Sequence, residues 1–123
     1  MEKIYEYLSE RHSVTVCFEV YRINKDFLVV AAGGDYMHIG AISLNEQTVA
    51  APGHKEDVIT SMMAGEIRNY IVHAKLSEAP PNICVVGGIH VDHISGEQIE
   101  AVVSMCRTAA KRIAEHMLQF LAF

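Results

Sequence analysis

The sequence is short of positive charge: 10 lysines and arginines stand against 15 aspartates and glutamates in 123 residues, a net charge of −5. A surface of that sign offers no footprint for a phosphate backbone or an anionic lipid, which sets aside nucleic-acid and membrane-surface binding. Cysteine is scarce as well. Cys17, Cys84 and Cys106 are an odd number without close spacing, each inside an apolar pattern, so a disulfide framework is excluded and buried reduced thiols are expected. No uncharged stretch approaches the roughly 18–20 residues of a membrane span. Met1-Glu2-Lys3 leads into a charged, tyrosine-rich segment without the apolar region that export requires, so a cytoplasmic location is expected. The chain also lacks a G-x-S-x-G elbow, a Walker A loop, a dinucleotide fingerprint, an H-E-x-x-H pair and a C-x-x-C pair. No cysteine lies beside a glycine-rich or basic loop, which removes a nucleophilic thiol, and a catalytic reading is left with little to stand on.

What is present is the pattern of one domain over residues 1–123, a length that supports a single core. Residues 14–23 are rich in β-branched and aromatic side chains and predict a strand, followed by the polar turn Asn24-Lys25-Asp26. The apolar run 27–32 predicts a central strand buried on both faces, ending at Gly33-Gly34-Asp35. A further hairpin leads to a strand over 37–44, and 48–51 is a candidate fourth. From Gly53 the period changes to three and four, through Ile59, Met62, Met63, Ile67, Tyr70, Ile71 and Ala74, which predicts a helix over about 55–76 halted by Ser77-Glu78-Ala79-Pro80-Pro81. A strand over 82–91 changes character at Gly87-Gly88. Ser95-Gly96-Glu97-Gln98 then has the form of a capping box, opening a last helix of roughly 25 residues and about 37 Å. The order β-β-β-(β)-α-β-α predicts an α+β domain, an antiparallel β-sheet with two helices packed on one face. The other sheet face, or the apolar tail from Met117 to Phe123, needs a cover, and a homodimer supplies one.

Three polar stretches punctuate the strand ends and pair glycine with histidine: Asp35 to Gly40, Pro52 to Glu56, and Gly87 to His93. Glycine admits φ > 0 and close backbone approach, so Gly53 and Gly87-Gly88 can present N–H groups to an anion such as a phosphate. Gly53-His54 precedes a helix N-terminus, which attracts an anion, with Lys55 adding charge; Glu56 and Asp57 satisfy the same dipole for structural reasons alone. His90 and Asp92 share one side of an extended strand, and with His54 or His38 they would form a set for a divalent ion. The plainer reading has Asp92 help to cap the last helix, with His93 facing solvent.

His38-Ile39-Gly40-Ala41, Pro52-Gly53-His54-Lys55-Glu56 and Gly88-Ile89-His90-Val91-Asp92, in this order and spacing, resemble the small D-type proteins of gallate and protocatechuate decarboxylase systems. These form the prenylated flavin chaperone family, with a fold similar to proteasome assembly chaperones, and the resemblance covers about residues 14–115. It implies a non-catalytic protein that binds prenylated FMN, or FMN, as cargo. The source would be a flavin prenyltransferase, and the recipient a prenylated-FMN-dependent decarboxylase of aromatic or unsaturated acids. The positions it marks as cofactor-binding are His38, Gly40, Gly53, His54, Lys55, Glu56, Gly88, His90 and Asp92. His93 departs from the asparagine the pattern expects, and Tyr36-Met37 is more apolar than it expects; the departure at His93 leaves a metal open. Two alternatives stand beside this reading. One is a protein-assembly chaperone without a small ligand, using Leu118, Leu121 and Phe123. The other is a metal-dependent enzyme using His54, His90 and Asp92.

Overall fold

The computed structural model describes residues 1–122. It contains six strands, β1 (Glu2–Arg11), β2 (Val14–Ile23), β3 (Asp26–Gly34), β4 (Tyr36–Leu44), β5 (Gln47–Ala50) and β6 (Ile83–His90). Two helices, α1 (Asp57–His73) and α2 (Gly96–Met117), complete the α+β domain, and a single 3-10 turn, Leu118–Phe120, follows α2. Both helices pack on one face of the sheet, α2 over β1 and β2, α1 over β6 and β4.

The core forms between the helices and every second residue of the central strands. Val16, Phe18 and Val20 of β2, Val29 of β3, and Ile83 and Val85 of β6 meet Met63, Ile67 and Ile71 of α1 and Cys106, Ile113 and Met117 of α2, all fully buried. Burial pushes the Cys106 thiol up to about 12, so that cysteine is inert packing. Cys17 and Cys84 differ from the expectation of burial: both are half-exposed, on the sheet face that carries no helix. Leu28 and Val30 on that face are likewise only partly buried, so β3 is central but not covered on both sides.

The sheet order is β1-β2-β3-β6-β4-β5. The expected run of hairpins therefore holds for β2–β3 and for β4–β5 and fails between β3 and β4. In place of a β3–β4 hairpin, β6 inserts between the two strands, parallel to β3 and antiparallel to β4. Two apolar, half-buried strands, β3 and β6, thereby take the sheet centre, while the charged β1 and the wholly exposed β5 form the edges. β1 itself lay in a segment whose charge concealed a strand. Tyr5 and Tyr7 flank Glu6, and their rings pack against the core beside α2.

Both helices begin close to the expected positions. The capping box of α2 is present, with Ser95 Oγ accepting from Gln98 N and the Gln98 side chain returning to Ser95 N. α1 is shorter than expected, because Lys75 adopts φ +56° and turns the chain before Pro80-Pro81 is reached. The apolar tail folds back: Leu118, Phe120 and Leu121 pack against the core, the Arg22 guanidinium lies over the Phe120 ring, and Ser77 N donates to Ala122 O. Leu118 and Leu121 are thus not a free docking surface, and Phe123 lies outside the described residues.

The β4–β6 ladder is irregular at one place. Met37 pairs with Ile89 and Ala41 with Gly87, so three β4 residues, 38–40, stand opposite the single residue Gly88. This is an enlarged bulge, with two extra residues on β4. The His38 carbonyl crosses directly over Gly88, where a β-carbon would overlap it. Gly88→Ala is accordingly expected to lower the unfolding free energy in urea by about 2 kcal/mol or more. Gly65→Ala, on α1 where an added methyl meets open space, should raise it by about 0.5–1 kcal/mol. Equal midpoints for wild type and Gly88→Ala would contradict the close approach.

Candidate functional site

The bulge re-aims the side chains of β4 at one end of the sheet. His38 leaves the strand toward the N-terminus of α1, and the next residue but one, Gly40, lies under the Glu56 carboxylate, in space a β-carbon would occupy. Two of the glycines marked in the sequence, Gly40 and Gly88, therefore act by making room. The anion nest expected at Gly87-Gly88 is not formed: both are buried inside the ladder, in register with Ala31 and Ala32, and a Gly87 β-carbon would meet the Thr60 methyl.

Glu56 is set by the turn that precedes α1. Gly53 has φ +79°, a conformation glycine adopts without strain, and His54 N donates to Ala51 O. The chain then enters α1 with Glu56 as the N-cap, its backbone oxygen accepting from Thr60 N, while its side chain makes no capping hydrogen bond and points at the histidines instead. Glu56 Oε1 lies 3.5 Å from His38 Nε2, and Oε2 lies 3.3 Å from His54 Nδ1. The rings of His38 and His54 are 4.8 Å apart. His38 Nε2 and Glu56 Oε2 are buried atoms without a hydrogen-bond partner among the described residues. Ligand atoms of His38, His54 and Glu56 all lie within 4.8 Å of one another, a two-histidine, one-carboxylate set.

The third stretch supplies a neighbouring layer. His90 Nε2 and Asp92 Oδ1 are 2.8 Å apart, and the His90 ring is 6.1 Å from His38. His90 and Asp92 thus pair with each other, and the metal set expected from His54, His90 and Asp92 is not what the fold assembles. The reason is register: the bulge carries His38, not His90, to the carboxylate. Nor does Asp92 cap α2, since Ser95 does. His93 is exposed, with φ +52°. Gly53 and Lys55 lie exposed on the turn beside the cluster.

Two participants escaped the sequence reading. Tyr36 is the cross-strand partner of His90, its ring stacked on the imidazole at 4.3 Å and 21°, yet 55% exposed. Asp35 clamps the strand ends: its N–H donates to His90 O, and its Oδ2 accepts from Asp92 N at 2.7 Å. Their adjacency to His38 was the available signal. That Tyr36 faces His90 results from the insertion of β6, which no local pattern announces.

The cluster is partly buried: the His38 and Glu56 side chains are 18% and 15% exposed, and solvent reaches it through His54 and Tyr36. Concave regions lined by Tyr70, His73 and Leu118, and by Arg22, Phe27 and Phe120, lie toward the C-terminal end of α1 and the opposite end of β3. No described helix is long and apolar enough to cross a membrane. Among known proteins, the chain is similar to Protein LpdD of Lactiplantibacillus plantarum, at 30% identity over 74% of this chain and 68% of that one. The family model described as the prenylated flavin chaperone LpdD-like domain matches residues 10–118, a span that takes in β2 to α2 and all three site stretches. The chain belongs to the LpdD-like prenylated flavin chaperone family.

Proposed function

We propose that this protein binds prenylated FMN as cargo, without catalysing a reaction on it. It receives the molecule from a flavin prenyltransferase and passes it to a prenylated-FMN-dependent decarboxylase of aromatic or unsaturated acids. The observation that carries this reading is the convergence of the three stretches, 35–40, 53–56 and 88–92, on one end of the sheet in a chain of this family. The Tyr36–His90 stack presents a flat, exposed aromatic face for an isoalloxazine ring, and His38, His54 and Lys55 are the polar groups for a phosphate. A site whose solvent-facing side is formed by Tyr36 and His54 suits cargo that must leave again, since a ligand buried on all sides is released slowly.

The homodimer belongs to the same proposal. The sheet face without helices carries Leu8, Leu28, Val30, Ile42, Leu44, Val49 and Val86, with Leu8, Ile42, Leu44 and Val49 between 42% and 74% exposed. A second copy stacked on this face would cover it in a closed, twofold assembly.

In anaerobic titrations followed by absorbance and calorimetry, prenylated FMN should bind with one-to-one stoichiometry per chain. Tyr36→Ala should weaken it by roughly 2- to 12-fold, the range of one aromatic pair. No binding of either flavin, with or without divalent metal, would refute the cargo reading and favour a protein-assembly chaperone. Sedimentation should show a dimer that Ile42→Asp dissociates, with Cys17 and Cys84 alkylated faster in the variant. A wild-type monomer at micromolar concentration would rule the dimer out.

A further inference from the structure

We propose that His38, His54 and Glu56 bind a divalent transition-metal ion, with coordination positions left open for an oxygen ligand from solvent or cargo. Four observations converge on it. The first is spacing. The two carboxylate–imidazole distances, 3.3 and 3.5 Å, are longer than the roughly 2.7–3.2 Å of an N–H···O hydrogen bond. The His54–Glu56 separation of 3.3 Å equals the spacing of about 3.3–3.4 Å between ligand atoms on a tetrahedral ion with bonds of about 2.0–2.1 Å, and the three ligand atoms together lie within 4.8 Å, so His38 has to draw in to close the set. The second is the pair of orphaned atoms. His38 Nε2 and Glu56 Oε2 are buried without a hydrogen-bond partner among the described residues, and these are donor atoms of the set.

The third is the room made for the carboxylate. The Glu56 side chain makes no capping hydrogen bond but is held over Gly40, so the absence of a side chain at residue 40 is what lets it face both imidazoles. The fourth is charge, and it rests on the flavin reading. Glu56 and Asp92 would repel the phosphate of a flavin nucleotide, with Lys55 as the nearby cation; a +2 ion at the triad reverses the sign and offers the phosphate oxygens a bond. Imidazole nitrogen with a carboxylate oxygen selects Zn2+, Fe2+, Co2+ or Ni2+ over Mg2+ and Ca2+, which prefer all-oxygen sites.

The test uses the full chain, stripped with chelator and titrated with Co2+, whose visible absorption reports coordination number. The expected result is one Co2+ per chain, displaced by Zn2+. Loss exceeding about 100-fold is expected in His54→Asn and Glu56→Gln, beyond the cost of removing an orienting partner. Gly40→Ala, which keeps every ligand but crowds Glu56, should weaken binding by about 10- to 100-fold. His73→Asn, at the far end of α1, should bind as wild type. Circular dichroism checks that each variant folds, and His54, on an exposed turn, keeps the test decisive if Glu56→Gln does not. Absence of a Co2+ site in the wild type, or Co2+ binding unchanged in His54→Asn, would overturn the proposal. FMN and prenylated FMN titrated with and without Zn2+ separate the two readings. Co2+ bound at the triad with neither flavin bound would sustain the metal and refute the cargo. Flavin bound equally in chelator, with no Co2+ site, would refute the metal and sustain the cargo.

Discussion

The His38 carbonyl occupies the place of a β-carbon on residue 88, and the architecture of this end of the molecule depends on that overlap. With glycine at 88, β4 can place three residues opposite one, and the surplus backbone turns His38 toward α1. A second missing side chain, at Gly40, admits the Glu56 carboxylate from the other direction. Side chains from positions 38, 54 and 56 then meet because backbone has been brought unusually close to backbone and to carboxylate. In most folds a polar cluster of this kind is built by long side chains reaching inward. Here it is built by omitting side chains elsewhere.

The two faces of the sheet divide the work. One face is filled by α1 and α2 and supplies the stability, with Phe18, Ile67, Ile83 and Ile113 fully buried between them. The other carries aliphatic residues and two half-exposed thiols with no helix above them. Burial raises the thiols of Cys17 and Cys84 above their ordinary range, so even these remain protonated near neutral pH. The histidine cluster sits at the sheet end where β3, β4 and β6 meet, reachable from solvent whatever covers the open face.

Local chemistry was legible in the sequence and long-range register was not. The strand at 14–23 was bounded by its own composition, and the capping box announced α2, because both signals are contained in a few consecutive residues. β1 was missed since five of its ten residues are charged, which suits an edge strand and reads as a polar segment. The hairpin expected between β3 and β4 failed because the competing partner, β6, lies far along the chain, beyond β5 and α1. The same blindness governed the site. Glycine beside histidine at three strand ends marked the right stretches, but which histidine meets Glu56 is decided by the bulge, and the Gly87-Gly88 pair read as an anion nest proved to be a clearance. Tyr36 and Asp35 were passed over for the same reason: their partners are set by the insertion of β6.

That insertion also fixes when the site comes into being. β1 to β3, and β4 with β5, can pair as they leave the ribosome, through local turns that close quickly. β6 reaches its place only across α1, between β3, to which it is parallel, and β4, to which it is antiparallel. Such non-local pairing is the slow step of a mixed sheet, and until it occurs Gly88 is not beneath His38, Tyr36 has no imidazole to stack on, and Asp35 has nothing to clamp. The histidine cluster therefore exists only in a chain whose β6 is paired on both sides. A molecule held there would be drawn only to copies whose central strand is already seated, so that occupancy doubles as a record of completed folding.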